Sequence, residues 1–180
     1  MPLPILLLIP AGVLAWTLLN HDEETQIRRG REALRALLNR AAKSGGTLTG
    51  EDSIIRNAMF VPALGKIDFR WGRFDEETGK GMGISKIIGA QKLKREYYKD
   101  TAFNPRFILR IPDIIARGKA VPHGNTRLKI THENAFVFLE KDFHGQPVDK
   151  WVFNAFPNVP GKTMPTKKIA QLLKALNKKE

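Results

Sequence analysis

Arg70, Trp71, Arg73, Lys80, Lys86, Arg117, Lys129, His132 and Trp151 are the side chains of this sequence whose charge and type suit chemistry on a polyanion. Metal-independent cleavage of RNA asks for such a set. A ribose 2′-OH must lose a proton, a pentacoordinate phosphate must be stabilised, and the 5′-oxygen must gain a proton. Lysine and arginine meet the phosphate, histidine or a perturbed lysine moves protons, and unstacked bases lie on aromatic rings. Lys86 falls one turn into an expected helix, where backbone N–H groups already favour anions. A lysine is poorly placed for the helix dipole there, which argues for function. Plainer readings stand beside these. Arg70 and Lys129 alternate with apolar neighbours as the solvated side of a strand would. Trp71 and Trp151 are of the type that fills cores, and His132 falls at a strand end beside a turn.

Other chemistries recede. There is no cysteine, which excludes thiolate zinc sites, disulfides and cysteine nucleophiles. His21, His123, His132 and His144 are isolated, without the spacing of a metal site, so neither a metal nor a cofactor is expected. "PGKT" at 160–163 ends like a phosphate-binding loop, but Phe156 stands where its first glycine belongs. "GKGMG" at 79–83 is a fragment of a dinucleotide fingerprint with no βαβ pattern around it. The net charge of +12 and a pI near 10.1 point to a polyanionic partner, nucleic acid or anionic lipid.

The elements that must position these residues follow from periodicity. Residues 1–20 carry no charged side chain and, if helical, would span about 30 Å, the reading being a membrane anchor with Trp16 near its end. Arg28, Arg29, Arg31 and Arg35 follow it, which puts the rest of the chain in the cytoplasm, export as an effector being the other course. Residues 21–49 read as an amphipathic connecting helix and linker, with Ile27, Ala33, Leu34, Leu37, Leu38 and Ala41 recurring at spacings of three and four and "SGG" ending the helix. Residues 50–180 form the working domain. It contains a strand at 66–71, a helix over 81–99, a short helix interrupted by Pro112 and strands at 127–131, 135–141 and 149–156. A basic amphipathic C-terminal helix closes the chain. Helices first and antiparallel strands afterwards predict an α+β fold.

"LGKIDFRWGR…GKGMGISKII", followed by "IPDIIARGKA", "RLKITHENAFVFLEKDF" and "DKWVFNAF", resembles the phage- and toxin-associated nucleases of the barnase–EndoU–colicin–RelE superfamily, over roughly residues 60–157. The resemblance implies N-terminal helices packed on a curved antiparallel sheet. It also implies metal-free RNA cleavage leaving a 2′,3′-cyclic phosphate. By position, Lys86 falls where relatives carry a histidine, Gln91 where a second histidine often follows, and Asn154 where the last strand has threonine or serine. On this basis Lys86, His132, Asn154 and Arg70 are the expected catalytic residues. Trp71, Arg73, Lys80, Arg117, Lys129 and Trp151 are expected to hold substrate, and a small acidic inhibitor protein to restrain the enzyme. The alternative is a membrane-associated nucleic-acid-binding protein without turnover.

Overall fold

The computed structural model describes residues 11–177, with side chains from residue 22 onward. Helix α1 (Ala11–Lys43) runs unbroken through the segment expected to divide into anchor and connecting helix. Residues 1–10 of the expected anchor lie outside the described residues, and among those described no helix is long and apolar enough to cross a membrane. Its end follows from "SGG": Gly45 and Gly46 take positive φ, and the Gly46 N–H donates to the Ala41 carbonyl at 2.7 Å, satisfying a free helix-end acceptor. Ile27, Leu34, Leu37 and Ala41 are all buried, so the second half of α1 is a wall of the core as well as a connection.

After α1 come strands β1 (Ile54–Val61), β2 (Gly65–Arg70), β3 (Arg73–Asp75) and β4 (Lys80–Met82), and then helix α2 (Gly83–Tyr98). A 3-10 turn at Pro105–Arg110 leads into α3 (Ile111–Arg117). Pro112 sits at the start of α3, where its missing N–H costs nothing, and so opens that helix where an interruption was expected. Strands β5 (Lys119–His123), β6 (Arg127–His132), β7 (Ala135–Phe143) and β8 (Gln146–Pro157) follow, with α4 (Thr166–Asn177) last.

Six strands form one sheet in the order β1-β2-β8-β7-β6-β5, and β3 and β4 make a separate ribbon. The expectation of an antiparallel sheet is corrected here. β2 and β8 run parallel, paired through Ile67–Lys150 and Asp68–Trp151, and the sheet is mixed. The chain between them is long enough to cross over and re-enter in the same direction, as a parallel pair requires. Beyond Trp151, β8 is paired with β7 only, and α2 packs against it.

The two faces of the sheet differ. Ile67, Phe69, Ile130, Ala135, Val137, Leu139, Val152 and Ala155 point to one side, where with α1, α3 and part of α2 they make the core. Their neighbours in sequence, which alternate to the other side, are Arg127, Lys129, Phe136, Phe138, Glu140, Asn154 and Phe156. Among the described residues no helix covers that side over β5 and β6, and these residues are partly accessible apart from Glu140, which is buried.

Candidate functional site

The glycine-studded stretch after Trp71 is explained by a close nesting of backbone. The Trp71 indole N–H donates to the Gly46 carbonyl at 2.9 Å, and its backbone N–H to the Ser53 carbonyl at 2.7 Å. The Trp71 carbonyl accepts from the Ser85 N–H at 2.9 Å, so a donor at the start of α2 is spent on the end of β2 and is not open to an anion. Gly83 has φ +76, and a Cβ there would stand 2.7 Å from the Arg70 carbonyl oxygen. Only glycine lets the strand end and helix start meet. Trp71 itself is buried and belongs to the core.

This junction fixes α2 beside the free half of β8. Ile84 and Ile87 enter the core, while Lys86 and Lys94 lean over the rings of β8. Lys86 Nζ lies 5.2 Å from the Phe153 ring centroid, and Lys94 Nζ lies 5.3 Å from that of Phe156. Among the described residues neither lysine has a carboxylate within ion-pair reach. Burial pushes both ammonium groups below the ordinary lysine value, and for Lys86 repulsion from Arg127 and Lys94 adds to it. Gln91, on the same helix, is 0% exposed, and its amide finds no partner among the described residues.

Lys86, Gln91, Lys94, Lys80 and Asn154 line one cleft of ≈ 480 Å³ between α2, the end of β8 and residues 158–167, with Lys162 and Lys167 at its border. Lys162 is ion-paired with Asp100. On the sheet side, Arg127 stacks over the other part of this group, 4.2 Å from the Phe153 centroid, and its Nε donates to Glu140 Oε2 at 2.6 Å. Burial raises the Glu140 carboxyl, but hydrogen bonds from Thr126 and Arg127 outweigh it and hold the group below its ordinary value. Phe153 reaches this position because the register of β7 and β8 slips between Phe138–Asn154 and Leu139–Val152, a bulge that re-aims one side chain.

Of the residues singled out from sequence, the structure therefore brings Lys80, Lys86 and Asn154 into one cleft. Lys129 shares the open face, its Nζ 4.0 Å from the Phe136 centroid. The others lie elsewhere. His132 shares the side of Ile130 and Ala135, opposite Asn154, and stands near Glu133. Arg117 is held by Glu23, Glu24 and Asp113, tying α3 to α1. Arg70, Arg73 and Trp151 line a second cleft on the β2 side. Lys94, Arg127, Glu140 and His123, which lie at this cleft or on the open face, are not among the residues singled out from sequence. The signal for Lys94 was available, since it follows Lys86 by eight residues on the same side of a helix. His123 pairs with Arg127, and its ring lies 5.1 Å from that of Phe138, which places it on the open face.

A cationic and aromatic sheet face, bordered by a lysine-bearing helix, has the composition of a surface for nucleic acid. Residues 58–161, more than half of the chain, match the family model described as phage-Barnase-EndoU-ColicinE5/D-RelE like nuclease1, and the chain belongs to that nuclease family. No match was found among curated proteins or among solved structures.

Proposed function

We propose that the protein is a metal-independent endoribonuclease whose scissile phosphate sits between Lys86, Lys94 and Arg127. The observation that carries this reading is the pair Lys86 and Lys94: one lysine half-buried and one buried, with no carboxylate partner among the described residues, over aromatic rings beside one cleft. Burying unpaired ammonium groups is costly, and a phosphodiester entering the cleft supplies the missing anion.

In the reaction, the 2′-oxygen bonds to phosphorus and the bond from phosphorus to the 5′-oxygen breaks. The 2′-OH proton passes to an imidazole, and His123 takes the role expected for His132 because it shares the face of Asn154 and Arg127. The pentacoordinate phosphate is met by Lys86, Lys94 and the Arg127 guanidinium, which Glu140 holds in place. Lys86 delivers a proton to the leaving 5′-oxygen. A lowered lysine value favours that step, since a weaker base gives up its proton more readily. Asn154 orients the ribose phosphate. The products are a 2′,3′-cyclic phosphate and a 5′-hydroxyl.

The test is incubation of total cellular RNA in EDTA with the full chain, with Lys86→Ala and with His123→Ala, followed by mapping of fragment ends. Discrete fragments with cyclic-phosphate ends, lost in Lys86→Ala, are expected. RNA that is bound but stays intact would instead identify a nucleic-acid-binding protein on a nuclease fold.

A further inference from the structure

The second cleft, on the β2 side, contains an arginine that is costly as it stands. Arg70 is 7% exposed, and its Nε has no acceptor among the described residues. The carboxylate within ion-pair reach is Asp68, but its Oδ2 stands 3.8 Å from Arg70 Nη2, too far for a hydrogen bond. Asp68 Oδ1 is already engaged by the Asn57 N–H at 2.8 Å. The guanidinium carbon lies 4.5 Å from the Phe143 ring centroid and 5.7 Å from that of Trp151, so two rings fix its plane. Desolvation weakens its hold on the proton by more than the carboxylates of Asp68 and of Glu51, at the rim of the cleft, strengthen it. What faces this fork is a cleft of ≈ 400 Å³ with Arg73 exposed at its mouth and Ile54, Met82 and Phe143 among its walls.

A planar fork of donors suits a phosphate bidentately, and the apolar walls suit the ring attached to it. The cleft is of a size that takes one nucleotide. A row of side chains leads from it to the Lys86 site: the Trp151 and Phe153 ring centroids are 5.7 Å apart, and Lys86 Nζ lies 5.2 Å from that of Phe153. A ligand strand crossing Phe153 reaches both.

We infer that the Arg70 cleft is a second nucleotide subsite, where Arg70 and Arg73 hold a phosphate of the same strand whose scissile phosphate lies at Lys86. This rests on the reading of the Lys86 cleft given above. The substrate class that follows is a single-stranded segment several nucleotides long, engaged at two separated phosphates, and not an isolated dinucleotide or a regular duplex.

The test uses binding, so that it does not depend on cleavage. A fluorescent 2′-deoxy oligonucleotide of about eight nucleotides, within the range such surfaces cover and uncleavable for want of a 2′-OH, is titrated into the full chain by anisotropy at several salt concentrations. Lys86→Ala, Arg70→Gln, Arg73→Gln and the Arg73→Gln/Lys86→Ala double variant are compared with the unaltered chain. Each single variant is expected to flatten the plot of log affinity against log salt by about 0.7, the value for one phosphate on a single strand, and the double variant by about twice that. Unaltered slopes in both Arg70→Gln and Arg73→Gln would overturn the subsite. A loss in those two with no effect of Lys86→Ala would leave the subsite standing and remove the reading of the Lys86 cleft. Should Arg70→Gln lose its native circular dichroism, Arg73→Gln decides alone, because Arg73 is exposed.

Discussion

The two sides of the central sheet place the same kinds of strand residue under opposite demands. On the core side, Phe69, Ile130, Val137 and Leu139 are fully buried, and each is worth what it removes from water. On the open side, Phe136, Phe138 and Phe156 keep part of their surface accessible and pack against one another and against cations, Phe138 stacking on Phe156 at 5.7 Å. Arg127 and Glu140 face each other across the β6–β7 ladder on that open side, as an ordinary cross-strand ion pair would. What departs from ordinary sheet surface is Lys86 and Lys94, brought over the rings by a helix with no acid paired to them among the described residues. The contrast teaches where stability and function separate: the core side holds the sheet, and the open side tolerates unpaired charge that the core has to outweigh.

The largest effect should come from breaking the core side. Phe69→Ala is expected to cost about 3–5 kcal/mol, a large fraction of a small domain's stability, read as a lowered urea midpoint. Phe138→Ala, on the other face, should cost far less stability while weakening RNA binding, and equal losses at the two positions would erase the distinction. Next in size is Lys86→Ala. It should lower kcat/KM by about 10²-fold, the scale of a positioned acid or base, with the urea midpoint unchanged or raised. A rate loss explained by unfolding would remove Lys86 from the chemistry. Smaller still is Lys94→Met, which keeps the length and removes the buried charge. Because burial depresses the folded-state value, the fold binds fewer protons than the unfolded chain, and this lysine's penalty is present at neutral pH. It fades only as pH rises through the folded value toward 10.5. The variant should therefore melt higher than the natural chain near neutrality, with the gain shrinking at alkaline pH, while its salt dependence of RNA binding flattens by about one phosphate contact.

Much of this was legible in the sequence because alternation and helical spacing were strong where packing is strong. The strands from 127 to 157, α2 and the end of α1 all follow from periodicity and glycine. Strand β5 was not, since "KAVPH" carries Pro122 and lies at the sheet edge, where a proline is tolerated and little is buried. Strand β1 was hidden by its irregularity, with Asn57 at φ 48 and a shift in register between Ile55 and Met59. The parallel contact of β2 with β8 joins segments far apart in sequence, and no local pattern encodes it. For the candidate site, the residues expected from sequence divide by placement: Lys86 and Asn154 share a cleft, while His132 lies on the other face of the sheet. The difference turns on parity: His132 is two residues from buried Ile130 and so shares its face, whereas His123 pairs with Arg127 across edge strand β5, which periodicity does not mark.

The smallest effect tests the electrostatics that join helix to sheet. Three influences lower the Lys86 ammonium, burial first, then Arg127, then Lys94. If protonated Lys86 is needed for turnover, activity falls as pH rises through its folded-state value, which lies below 10.5. Replacing Arg127 alone would leave the Glu140 carboxylate buried without its partner, so Arg127→Gln is combined with Glu140→Gln to keep a neutral pair in the same place. The double variant removes one repelling cation from Lys86 and leaves burial as it was. Its ammonium therefore keeps its proton to higher pH, and the alkaline limb of the kcat/KM profile should move upward without reaching that of a solvent-exposed lysine. The rate at the plateau should fall as well, because the phosphate loses Arg127. A plateau that falls while the limb stays put would mean that the proton lost on that limb is not the one on Lys86, and would divide phosphate binding on the open face from proton transfer on the helix.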